Sequence, residues 1–114
     1  MSTKYKATIA GKAYFITLTT VNWVDLFTRL GQRMLIVNAL NYCVEKKGLE
    51  IYGYCIMPSH IHLLCRAQDD DLLSNIMRDF KSFTSKKIIE TIKNEKESRR
   101  DWLLEMFHES CAHL

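Results

Sequence analysis

Pro58 is the only proline among 114 residues, and the chain on both sides of it reads as extended. Residues 49–57 (LEIYGYCIM) and 60–67 (HIHLLCRA) are rich in aromatic, β-branched and other apolar types, and Pro58-Ser59 between them supplies a tight turn. The pattern predicts a β-hairpin. A hairpin needs further strands or a covering layer to be stable in water, so the flanking segments must supply both.

Residues 13–21 (AYFITLTTV) read as a first strand by the same criteria. Between it and the hairpin, 31–47 sets Ile36, Val37, Leu40, Cys43 and Val44 on one helical face, and Gly48 stands where a C-terminal cap belongs. Beyond the hairpin, 72–93 is a long amphipathic helix striped by Leu73, Ile76, Met77, Phe80, Thr84 and Ile88. Asp69-Asp70-Asp71 precede it, where acids suit the positive end of the helix dipole. After a break at 94–97, Ser98-Arg99-Arg100-Asp101 has a form related to a capping box and opens a last helix through residue 110. The order is β-α-β-β-α-α, an α+β class. One more strand would make the ferredoxin-like split β-α-β two-layer sandwich, and that closing strand is expected beyond Leu114.

With 47% hydrophobic and 25% charged residues, a disordered or fibrous chain is excluded, and 114 residues suit a single domain. No apolar run approaches the roughly 18–20 residues of a membrane span. No signal-peptide pattern follows Met1, so a cytoplasmic location without membrane partners is expected. The net charge of +3 permits nucleic-acid binding without demanding it. Cys43, Cys55, Cys65 and Cys111 form no Cys-x-x-Cys pair, and the first three sit in apolar patterns as buried free thiols do. The terminal His108-Glu109-Ser110-Cys111-Ala112-His113 matches no zinc spacing with a mechanical justification and reads as a solvated helix end.

His60-Ile61-His62 carries the specific chemistry. Alternate strand residues project to one face, so the two imidazoles stand side by side while Ile61 and Leu63 point into the core. Such a pair can converge on one divalent metal; two polar residues on a half-exposed strand is the competing account. Three His-x-His families fail on spacing. Position 64 is Leu where a histidine-triad hydrolase needs a third His. Residues 63–67 hold no acid for a cupin-type site, and neither His has the following Ser or Thr of the two-histidine phosphoesterases.

Tyr54-Cys55-Ile56-Met57-Pro58-Ser59-His60-Ile61-His62-Leu63-Leu64 resembles the signature of the single-tyrosine HUH transposases, the small transposases of bacterial insertion sequences and their REP-associated relatives. The flanks agree: residues 79–88 (DFKSFTSKKI) resemble the family's second helix and 14–20 its first strand. The resemblance implies an enzyme that cuts and rejoins single-stranded DNA near hairpin ends through a 5′-phosphotyrosine. His60 and His62 match the family's metal ligands, with Mg²⁺ or Mn²⁺ as cofactor. A homodimer exchanging catalytic parts is a further implication.

The family's nucleophilic tyrosine and third ligand lie downstream of the fourth strand. Tyr5, Tyr14, Tyr42, Tyr52 and Tyr54 all precede the histidines, and none matches, so the nucleophile is expected beyond Leu114. Tyr52 and Tyr54 read instead as packing or sheet-surface residues on one strand face. The chain is therefore expected to be a C-terminally incomplete copy, inactive alone; the alternative is a non-catalytic nucleic-acid-binding remnant. Arg66 lies on the histidine face, and Lys81, Lys86 and Lys87 either contact phosphates or form a solvated helix face. Trp23 and Phe27 either stack on unpaired bases or anchor their loop.

Overall fold

The structure, a computed structural model, describes residues 2–3, 11–68, 73–94 and 99–112. Strands β1 (Ser2–Thr3), β2 (Ala13–Thr19), β3 (Leu49–Ile56) and β4 (His60–Ala67) form one sheet in the order β1-β2-β4-β3. Every neighbouring pair is antiparallel, so β2 and β3, joined through a helix, run parallel to each other and flank β4. Three helices complete the fold: α1 (Leu30–Lys46), α2 (Leu73–Asn94) and α3 (Arg100–Ala112). The two-residue β1 lies against the end of β2, with Ser2 opposite Thr19, and was not foreseen.

Alternation along β2 and β4 sorts their side chains onto two faces. Ile16, Leu18, Ile61, Leu63, Cys65 and Ala67 are at most 1% exposed and face the helices. Ile36 and Leu40 of α1, Ile76 and Phe80 of α2, and Leu103 of α3 join the same core. Thr84, the polar member of the α2 stripe, is buried because its hydroxyl donates to the Phe80 carbonyl at 2.7 Å. Gly48 caps α1 in the left-handed region, φ 73°, as its position predicts. The opposite sheet face is left open, exposing Phe15 and Leu64.

Several expectations need correction. Val44 is exposed, because the seam of α1 runs through Ile36, Ala39, Leu40 and Cys43 and leaves it one position too far round. Cys55 is also exposed, since register sets it opposite His62 on the open face. Cys43 and Cys65 are buried as expected. A register shift between Ile51 and Gly53 breaks the period of β3 at Tyr52, so Tyr52 and Tyr54 do not share a face. Tyr54 pairs with Leu63, whereas the Tyr52 hydroxyl donates to Glu50, the partner of Arg66. Asp69–Asp71, Ser98, His113 and Leu114, with the side chain of Cys111, lie outside the described residues. The closing strand and the nucleophilic tyrosine expected beyond Leu114 lie outside them too.

Candidate functional site

His60 and His62 occupy the open face of β4 with ring centroids 4.7 Å apart and planes at 76°. Each ring is oriented through Nδ1. Thr17, directly opposite His62 in the ladder, brings its Oγ1 to 3.1 Å from that nitrogen. The Ser59 hydroxyl lies 3.3 Å from His60 Nδ1. No hydrogen bond among the described residues takes Nε2 of either ring. Aromatic neighbours bracket the pair: Phe15 stacks on His62 at 5.4 Å and 24°, and Trp23 meets His60 edge-on at 5.7 Å and 67°. Among the described residues no third His, Cys, Asp or Glu completes a metal-binding group with them.

The loop after β2 is tied to the hairpin turn rather than left free. It holds two single 3₁₀ turns, Val21–Trp23 and Leu26–Thr28. Thr20 N–H donates to the Ser59 carbonyl at 3.0 Å, which ends β2 before residue 21, and Phe27 N–H donates to the Pro58 carbonyl at 2.9 Å. The buried Thr20 hydroxyl lies 2.7 Å from the Val24 carbonyl and 3.0 Å from that of Ser59. The Arg99 guanidinium at the start of α3 donates to Asp25 and holds its carboxyl below the ordinary range.

Within this frame Asn22 and Trp23 both adopt left-handed backbone, φ 53° and 56°. Asn tolerates that region, whereas for Trp it stores about 1–3 kcal/mol of strain. The two loop aromatics divide: Phe27 is buried, as a loop anchor is, and Trp23 is 66% exposed.

Arg66 shares the histidine face but is engaged, its Nε and Nη2 lying 3.0 and 2.9 Å from Glu50 Oε2. Glu50 also accepts from the Tyr52 hydroxyl, and those bonds lower its pKa, Tyr52 first and Arg66 next. Lys81, Lys86 and Lys87 are elsewhere. They ride on α2, in the layer on the far side of the sheet from the histidines. Lys87 lies 3.7 Å from Glu90 and 6.0 Å from the Phe83 ring centre, and Lys47 bridges α1 to Asp79 of α2 at 3.1 Å. These two lysines border a groove of about 640 Å³ between α1 and α2, floored by Cys43 and Phe80. The structure thus gathers His60, His62 and Trp23, leaves Arg66 farther along the same strand face on Glu50, and separates all four from the α2 lysines. Thr17, Thr20, Ser59 and Phe15 were missed; Thr17 and Phe15 were findable once strand register was known, because they oppose β4's outward residues.

The model of the IS200-like transposase family matches residues 13–112. The chain belongs to that family. The match runs from the start of β2 through α3, so the imidazole pair, the stitched loop and the α2 lysines all fall within the transposase region. A solved structure of a Deinococcus radiodurans protein, provisionally described as a transposase, shares the fold with a TM-score of 0.61. It is 13% identical and the likeness covers 94% of this chain and 95% of that one. No curated protein matches significantly. Membership makes this a DNA-processing domain, and no described helix is long and apolar enough to cross a membrane.

Proposed function

We propose that this transposase domain cuts and rejoins single-stranded DNA bearing hairpin ends, using a divalent cation, Mg²⁺ or Mn²⁺, held by His60 and His62. The observation that supports this most is the imidazole pair itself, each ring carrying a hydroxyl at Nδ1. Outer partners of that kind fix the orientation of ligand histidines and raise their basicity. Two imidazoles alone would suit softer ions such as Zn²⁺ or Ni²⁺, so Mg²⁺ or Mn²⁺ would take its remaining positions from phosphate oxygens and water. When bound, the cation would polarise the scissile phosphate and stabilise charge on the leaving oxygen. The chain's own residues do the positioning: Thr17 and Ser59 hold the rings, and Phe15 backs His62.

In the proposed reaction a tyrosine oxygen attacks phosphorus, the 3′ oxygen leaves, and a 5′-phosphotyrosine forms. We assign that tyrosine to none of the five here. The order β2-β4-β3, with β2 and β3 parallel, supports reading the sheet as the ferredoxin-like split unit. Isothermal titration of Mn²⁺ into wild type and His60→Ala/His62→Ala tests the cation site. Loss of binding in the double variant is expected, and unchanged binding refutes the assignment.

The alternative, a non-catalytic nucleic-acid-binding remnant, draws on α3, which carries no tyrosine. It expects salt-sensitive single-strand binding and no covalent adduct with any metal.

A further inference from the structure

Trp23 is the one large side chain of its loop that packing does not explain. Val24, Leu26 and Phe27 supply the loop's buried contacts, while the indole stands out 66% exposed. Its backbone lies in a region that side chains of its size seldom adopt, φ 56°, directly after a second left-handed residue. The loop is nonetheless rigidly held. Backbone bonds join it to Pro58 and Ser59, the residues immediately before His60, and Asp25 joins it to Arg99. A bulky apolar side chain is thus fixed in solvent, in a strained conformation, with its ring 5.7 Å from that of His60.

Resting on the single-strand reading above, we propose that Trp23 is a stacking platform for one unpaired base, that of the nucleotide next to the phosphate held at His60 and His62. An indole face accepts any base by stacking, and one immobilised before DNA arrives loses little freedom on binding. Trp23 would therefore set which phosphodiester reaches the imidazole pair: a base seated on the indole fixes the strand's register one nucleotide away. Phe15 differs in having one ring face already laid nearly parallel against His62. Trp102, the other tryptophan, is on α3 and has no ring contact with either histidine.

The test uses Trp102→Phe protein, leaving Trp23 as sole tryptophan, titrated with a 20-nucleotide single-stranded oligodeoxynucleotide and with versions carrying one abasic position each. Trp23 emission is expected to be quenched on binding. Trp23→Ala should weaken affinity roughly 5- to 100-fold, and Trp23→Phe should restore most of it. Trp23→Gly separates a binding role from a structural one. Glycine adopts φ 56° without strain, so the melting temperature should hold or rise while affinity falls as in the alanine variant. One abasic position should cost wild type as much as the alanine variant and cost that variant nothing further. Affinity unchanged in Trp23→Ala and Trp23→Gly, beside clear binding by wild type, overturns the platform alone. Absence of single-strand binding by wild type overturns the reading on which it rests.

Discussion

Thr20→Val removes one oxygen from the point where the loop meets the hairpin turn and keeps the side chain's shape. Thr20 is 4% exposed, and its hydroxyl reaches two carbonyls, Val24 at 2.7 Å and Ser59 at 3.0 Å. One proton serves one acceptor at a time, and the shorter contact is the better bond. Neither carbonyl is stranded by the change. Val24 still accepts from Leu26 N–H at 3.0 Å, and Ser59 from Thr20 N–H at 3.0 Å. The penalty for an unpaired buried acceptor is therefore avoided, and the cost is that of one net hydrogen bond, about 0.5–1.5 kcal/mol. For a domain of this size that lowers the melting temperature by about 4 °C. Thermal unfolding followed by circular dichroism measures it directly. The same variant loosens the mount of Trp23, so single-strand affinity should fall severalfold while Mn²⁺ affinity at the histidines stays. A melting temperature unchanged within about a degree, or a loss of about 10 °C or more, refutes this account of the loop.

Thr17→Val takes the Nδ1 partner from His62, and Mn²⁺ affinity by titration calorimetry should drop about tenfold; wild-type affinity would dismiss Thr17 as an orienting group. Asp25→Asn should lower the melting temperature at neutral pH. The Arg99 pairing depresses the carboxyl below 3.8, so its stabilisation is present above that value and is lost as pH falls through the lower folded one. The gap between variant and wild type should accordingly hold from pH 7 to about 5 and close towards about pH 2; a gap that persists there contradicts the ion pair. Cys55 is exposed and should label with an aromatic disulfide at pH 8. Cys65, whose thiol burial pushes up to about 11, should label only on unfolding, with mass spectrometry locating the adducts. Phe80→Ala opens the core between α2 and the sheet and should cost about 3–5 kcal/mol in urea unfolding.

The elements were legible wherever one physical pattern dominated. The strand 60–67 matches β4 at both ends, because alternation and the turn before it are strong local signals. The helix read over 72–93 matches α2, described as Leu73–Asn94, since its apolar stripe repeats for five turns. The errors arise where a residue's fate depends on a partner distant in sequence. Cys55 and Val44 look apolar in context, yet exposure is decided by which sheet face and which side of a helix seam they take. The site was half readable. His60 and His62 are visible in their spacing, but Thr17 joins them only through strand register. Apart from the Thr20 hydroxyl, the loop's attachment to Pro58 and Ser59 uses backbone groups, which leave no mark on residue choice. Arg66 and the α2 lysines counted equally as cations in the sequence; ion pairing and the two-layer arrangement distinguish them.

The ties that fix the Trp23 loop span long stretches of chain: 39 residues from Thr20 to Ser59 and 74 from Asp25 to Arg99. The β3–β4 hairpin, by contrast, closes over a two-residue turn. Contacts so far apart in sequence carry the larger loop-closure entropy and form late. On a ribosome releasing the chain from its N-terminus, His60 and His62 can take their places on a sheet soon after β4 emerges. The indole beside them cannot be locked until Arg99 is out of the tunnel. From the emergence of Ala67 until that of Arg99, the nascent chain would carry paired imidazoles without a register stop.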